Sequence, residues 1–318
     1  MPLEPLHFQP ILKPVVWGGN KIAAFKGIST SDINIGESWE ISTIPGSVSV
    51  VDRGPHKGKS ICQLIDEFGP ELLGDDIYGR FGNEFPLLVK FIDTKENLSV
   101  QVHPTDRIAR HSHGEKGKTE MWHIIQADDN AKIYLGIKDG YTPDKLRELI
   151  DSGNLMDAVK EYDSKEGQSY FIPAGTVHSI GGGNLLAEIQ QNSDITYRLY
   201  DYNRTDKSGN KRPLHIDQAL NALDFNDKAF CIADTQSEEL VSCTYFTVKQ
   251  IQLTGNIPTD LKAKRGSFLI VMCISGTATI NSEISGNLTI KQGETYLIPA
   301  SNLPVSASGV GKLLTAQV

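Results

Sequence analysis

Lys165-Glu166-Gly167-Gln168-Ser169-Tyr170-Phe171-Ile172-Pro173-Ala174-Gly175-Thr176-Val177-His178 returns 126 residues later as Lys291-Gln292-Gly293-Glu294-Thr295-Tyr296-Leu297-Ile298-Pro299-Ala300-Ser301-Asn302-Leu303-Pro304. Each copy reads as a glycine turn, a short apolar strand and a proline turn that feeds a further strand, so the chain is predicted to hold two related β units. That pattern suits a double-sheet jelly roll closed on itself. The copies differ at their last position, where the first has His178 and the second Pro304. Proline offers no ligand atom, so the second unit is expected to be structural.

Working outward, short β-branched or aromatic runs bounded by turn formers predict strands at residues 85–92, 98–102, 121–125, 132–137, 245–253 and 268–274. Apolar residues at helical spacing predict helices over 59–73, 142–159 and 216–223, read as insertions. Arg110 to Lys118 is rich in glycine and charge and reads as a loop. Polar stretches place the boundary between units near 226–242. The division expected is a catalytic unit over 1–235 and a degenerate unit over 236–318, a mainly β fold with short helical insertions.

Gln101 and His103 are two apart in a Val-containing segment, so an extended strand points both to one face and Val102 to the other. Glu120 and His178 lie too far along the chain to be helical neighbours and could join that pair only through a compact sheet or barrel. These four are the candidate metal ligands. A second set, His111 and His113 with Glu115 or Glu120, ranks lower because its loop would hold ligands poorly. Two imidazoles, a carboxylate and an amide oxygen, without sulfur, suit Zn²⁺ and also Mn²⁺, Fe²⁺ or Co²⁺. Beyond the Gly181-Gly182-Gly183 turn, Glu188 and Arg198 lie in alternating polar and apolar stretches and are expected on faces of neighbouring strands. There an inward arginine could stabilise negative charge and a desolvated glutamate could act as a base.

The 318 residues include 39% hydrophobic and 22% charged side chains, ordinary globular composition. A net charge of −8 argues against nucleic acid or an anionic membrane as partner. The four cysteines are widely spaced with no C-x-x-C, so free thiols are expected rather than disulfides or a thiolate metal site. The amino terminus lacks a basic region followed by an apolar core, and the longest apolar run, Phe268 to Ile274, is far short of a membrane span. A cytoplasmic protein, monomer or homodimer, is the expectation.

Gly36-Glu37-Ser38-Trp39-Glu40-Ile41-Ser42, Gln101-Val102-His103-Pro104, Lys118-Thr119-Glu120-Met121-Trp122, Pro173-Ala174-Gly175-Thr176-Val177-His178 and Tyr197-Arg198-Leu199-Tyr200-Asp201-Tyr202, in that order, resemble the signature set of the type I mannose-6-phosphate isomerases in their short bacterial form. The resemblance runs from about residue 10 to 225 and continues weakly to the end. It implies two cupin units and a zinc-dependent interconversion of mannose 6-phosphate and fructose 6-phosphate through an enediol. It assigns metal ligation to Gln101, His103, Glu120 and His178, and catalytic or substrate roles to Arg198, Glu188 and Lys118. The large helical domain of longer members is here reduced to short helices, which leaves open what covers the phosphate; Lys90 and Lys118 are the candidate partners. Two other functions fit parts of the pattern: an iron cupin dioxygenase, which a fourth ligand at Gln101 disfavours, and an inactive sugar-phosphate-binding relative.

Overall fold

The structure, a computed structural model, describes residues 3–205, 209–226, 230–232 and 238–318. Within the expected unit boundary near 226–242, residues 227–229 and 233–237 fall outside the described residues.

Gly167 and Gly293, the equivalent turn glycines of the two copies, both have left-handed backbones, with φ of 84° and 82°. A Cβ is disfavoured there, which is why glycine opens each repeat. The strands that follow are Ser169–Ile172 and Thr295–Ile298. In the first unit they belong to two facing antiparallel sheets. One runs Phe230–Ile232, Ser169–Ile172, Glu120–Ala127, Asn184–Gln191, Leu87–Asp93, Ile35–Ile41, Ile11–Gly19; the other runs Tyr197–Tyr200, Val100–Val102, His178–Ile180, Lys132–Ile137, Val159–Asp163. This is the predicted jelly roll.

Leu87–Asp93 and Asn184–Gln191 are buried at every position. The reason is that both faces of their sheet are covered. Leu87, Val89, Phe91, Met121, Leu185, Ala187 and Ile189 pack outward against a core that includes Phe268, Ile270, Met272 and Leu314 of the carboxyl-terminal unit. The alternate residues point inward, where Ile92, Trp122, Ile124 and Leu186 meet Ile133, Leu135 and Ile180 of the opposite sheet. Period two therefore sends Lys90, Glu120 and Glu188 into the interior of the roll, on the same face as those apolar residues.

The second unit is built on long strands, Thr247–Asp260, Leu269–Ser282 and Val305–Gln317, which extend well past the predicted 245–253 and 268–274. Leu6–His7 pairs with Thr295–Ile298, so the start of the chain completes the sheet of its end.

The helices depart from expectation at glycine and proline. The predicted 59–73 helix is two, Ile61–Phe68 and Pro70–Leu73, and a third follows at Asp75–Phe81. Ser60 and Gln63 form a reciprocal capping box at the start. Gly69 and Gly74 have φ of 44° and 91°, outside helical geometry, and Pro70 has no N–H for the preceding turn. The 142–159 prediction likewise ends early, as Pro143–Asp151 and a short 3₁₀ turn, Leu155–Ala158, separated by Gly153 at φ 76°. The 110–118 loop is in fact preceded by, and partly inside, helix Asp106–His113. Thr105 caps it through the Ile108 N–H and Asp106 sits in its first turn, start signals that outweigh the glycines further on.

Candidate active site

Gln101, at the middle of Val100–Val102, lies directly opposite His178 on one side and Arg198 on the other. His103 follows that strand by one residue, and Glu120 opens the strand of the facing sheet next to Gln190. The two sheets thus carry donors from three distant stretches to one point. Nε2 of His103 lies 3.1 Å from Nε2 of His178, and each is close to Glu120, at 3.3 Å and 3.4 Å. All three side chains are fully buried.

The second nitrogens fix the tautomers. Nδ1 of His103 is 2.8 Å from the Ile195 carbonyl and Nδ1 of His178 is 2.9 Å from the Thr176 carbonyl. A carbonyl only accepts, so each Nδ1 carries the hydrogen and each Nε2 presents a lone pair. Burial pulls His103 down to about 3, with Lys118 acting in the same direction, and His178 is also lowered, mainly by burial, so both rings are neutral near pH 7. Glu120 is held below the usual carboxylate range: burial alone would raise it, but it is drawn down, first of all by the charge of Lys118. Among the described residues neither Glu120 oxygen has a hydrogen-bond donor, and Lys118 stands 3.5 Å away. Two lone pairs and an undonated carboxylate converge on a space that a divalent cation fits.

Gln101 borders the cluster: its amide nitrogen, a donor, lies 3.2 Å from His178 Nε2, while its oxygen accepts from Ser99 Oγ at 3.3 Å, so the amide would have to turn over to offer that oxygen to a cation. His111 and His113, the other expected set, are exposed on helix Asp106–His113, and His113 Nε2 bonds to Tyr197 Oη at 2.8 Å. They lie outside the donor cluster.

Gln101 also lines a cavity of about 240 Å³ together with Glu37, Trp39, Lys90, Lys118, Glu188 and Arg198. Glu188 faces Lys90 and Trp122 across its two strand neighbours, and it accepts from Trp122 Nε1 at 2.9 Å while Lys90 Nζ sits 3.0 Å from its other oxygen. Glu37 lies 3.6 Å from the same ammonium and takes a 2.6 Å hydrogen bond from Trp39 Nε1. Burial would lower Lys90, yet the two carboxylates hold it above its ordinary value.

The expectation that Glu188 and Arg198 occupy neighbouring strands is overturned: their strands belong to opposite sheets and meet only across the cavity. Arg198 instead bonds through Nε to Ser99 Oγ and through Nη1 to the Pro213 carbonyl. Lys90 is not a free phosphate partner, since both of its near neighbours are carboxylates. The cavity also includes Trp17 and Arg212, which carried no sequence signal of their own.

Residues 6–137 match the family model described as "Phosphomannose isomerase type I, catalytic domain", and residues 236–318 match "Mannose-6-phosphate isomerase, cupin domain". The chain is 34% identical to mannose-6-phosphate isomerase of Streptococcus mutans, over 93% of this chain and 92% of that one. It is 35% identical to mannose-6-phosphate isomerase ManA of Bacillus subtilis, over 94% of both. The crystal structure of the mannose 6-phosphate isomerase from Bacillus subtilis superposes with a TM-score of 0.88 at 32% identity, covering 99% of this chain and 100% of that one. Sequence kinship along nearly the whole length, together with the shared two-unit cupin fold, means that this chain belongs to the type I phosphomannose isomerase family.

Proposed function

We propose that the protein interconverts mannose 6-phosphate and fructose 6-phosphate in the cytoplasm, using Zn²⁺ held by His103, Glu120, His178 and Gln101. The observation that carries this reading is the undonated, fully buried Glu120 carboxylate between two lone-pair imidazole nitrogens, in a chain of this family. When bound, the metal supplies Lewis acidity that polarises sugar oxygens near C1 and C2. In this reading catalysis belongs to residues 1–235, and residues 236–318 support the outward face of the catalytic sheet.

Isomerisation moves a proton from C2 of the aldose to C1 of the ketose, through an enediol. A base must take that proton and return it one carbon away, while charge develops on the adjacent oxygen. Glu188 is the carboxylate proposed for the transfer, because Lys90 and Trp122 fix it at the cavity wall. Arg198 presents a guanidinium to the same cavity and is proposed to stabilise the enediolate. Lys118, buried beside Glu120, adds a second cation to the reacting end. The surrounding Trp17, Trp39, Ile92 and Leu98 keep that end dry, which strengthens each of these interactions.

The test is to strip the protein of metal, restore Zn²⁺ to one portion, and follow fructose 6-phosphate formation from mannose 6-phosphate. Activity is expected only in the zinc-restored sample. No activity in either, with zinc stoichiometrically bound in the second, overturns the proposal.

A further inference from the structure

The cavity is electrically lopsided. At the end nearest the donor cluster, Lys90 and Lys118 face Glu37, Glu188 and Glu120 at 3.0 to 3.6 Å, so each ammonium already neutralises a carboxylate. A phosphate dianion brought there would meet those carboxylates. At the other end the balance is reversed. Asp201, 5% exposed, accepts from Arg212 through both oxygens, at 2.8 Å from Nε and 2.5 Å from Nη2, and also from Arg204 Nη2. Arg198 stands between the two ends: its strand pairs it with Gln101, and its Nη1 bonds the carbonyl of Pro213, the residue after Arg212. One buried carboxylate therefore serves a neighbourhood of three guanidinium groups. A further acid lining the cavity, Asp194, is exposed to solvent, where its charge is screened.

Two of these guanidinium groups line the cavity, Arg198 and Arg212. Asp201 engages Nε and Nη2 of Arg212, and among the described residues Nη1 has no hydrogen-bond partner. Arg198 is held less strongly protonated than an ordinary arginine, first by burial and then by the positive charge of Arg212. That repulsion bears on Arg212 as well, and an anion beside Arg212 would relieve it. The chain also takes up an uncommon backbone to build this corner. Tyr202 and Asn203, directly after Asp201, have φ of 54° and 55°, and the turn returns Arg204 to Asp201.

We propose that Arg212 recognises the phosphate of the substrate, and that Asp201 is the residue that positions it. This rests on the sugar-phosphate reading above and adds the direction in which the substrate lies. The phosphate sits on C6 and the chemistry on C1 and C2, so an extended chain puts the phosphate at the arginine end when its carbonyl end meets the donor cluster. A guanidinium gripped on its Nε side by a carboxylate keeps a planar edge free for phosphate oxygens, a geometry that a lysine ammonium does not reproduce. Arg204 does not line the cavity and serves to hold Asp201.

The experiment uses the zinc-loaded full chain and the variants Arg212→Met, Arg212→Lys and Asp201→Asn. Arg212→Met is expected to raise KM for mannose 6-phosphate about 10- to 100-fold with kcat changed only a few-fold, since the contact is made equally in ground and transition states. Inhibition by inorganic phosphate should weaken by the same factor, and Arg212→Lys should recover part of both losses. Asp201→Asn should raise KM with little change in kcat, which a merely structural role would not do selectively. Because Arg204 still pairs with Asp201 in Arg212→Met, the variant should keep its fold; if it does not, Arg212→Lys carries the test. Wild-type KM and wild-type phosphate inhibition in folded Arg212→Met or Arg212→Lys overturn the proposal. If the wild-type protein turns over no mannose 6-phosphate, the isomerase reading fails. The Arg212 assignment is then judged separately: inorganic phosphate should raise the melting temperature of wild type but not of Arg212→Met, and an equal rise in both sinks it.

Discussion

Nε2 of His103 and Nε2 of His178 face each other across 3.1 Å, and neither carries a hydrogen to offer the other. Their Nδ1 hydrogens are committed to the carbonyls of Ile195 and Thr176, and both Nε2 atoms lie beside the Glu120 carboxylate, which Lys118 approaches to 3.5 Å. Three acceptors so arranged repel one another unless a cation lies between them.

Glu120→Gln keeps the size of the side chain and removes its charge. Zinc affinity, read by competition with a chromophoric chelator, should fall at least ~100-fold, more than the loss usual for a residue that only supports a ligand. An unchanged affinity would remove Glu120 from the ligand set.

Arg198 makes its bonds within the protein through Nε and Nη1, and its side chain lines the cavity. If it acts on charge that develops during reaction, Arg198→Ala should lower kcat by roughly 10²- to 10³-fold while KM moves much less. Steady-state kinetics decide this: a kcat near wild type would end the assigned role.

Glu188 and Lys90 form a buried ion pair at 3.0 Å, and breaking one side of such a pair leaves an unpaired buried charge. Glu188→Gln should therefore cost about 3 kcal/mol of stability in urea titrations, softened by the second carboxylate at Glu37. Adding Lys90→Met should restore most of that stability but none of the activity. Such a double mutant would separate packing from catalysis, and a double mutant as unstable as the sum of its parts would show that the two side chains do not interact.

His123 is buried on the outward face of its sheet, opposite Ala187, with Nδ1 2.9 Å from Ser169 Oγ, and burial, reinforced by the charge of Lys312 from the carboxyl-terminal unit, pushes it down to about 4. Its unfolded value is near 6.5. Between those values the unfolded chain binds a proton that the native protein refuses, so stability declines as pH falls from about 6.5 to about 4 and this contribution is flat below. The decline attributable to this ring is ~3 kcal/mol. His123→Gln should flatten the stability profile by that amount across the same window, and a profile parallel to wild type would contradict it.

The repeat was legible because turn glycines and alternating strands are local: Gly167 and Gly293 must both take left-handed backbones, and the residues after each must be extended. Gln101 and His103 were legible for the same reason, since a spacing of two on a strand sets a common face. The helix at Asp106–His113 departs from the expected 110–118 loop because the Thr105 cap outweighs the glycines that follow, and the expected 59–73 helix breaks at Gly69 and Pro70 because proline has no N–H to continue the apolar-spaced turns.

What the sequence by itself determined is the two-unit β architecture, the family resemblance and which side chains point inward along each strand. What only the tertiary structure decided is which inward residues meet. Glu188 pairs with Lys90 and Trp122 because their strands are adjacent in one sheet, whereas Arg198 reaches the same cavity from the opposite sheet. Arg212 enters it on a segment held to Arg198 by the Pro213 carbonyl and the His215 N–H. Side-chain period along a strand follows from backbone stereochemistry, but the partner across a cavity is set by strand order and sheet packing, and no short window of sequence contains either.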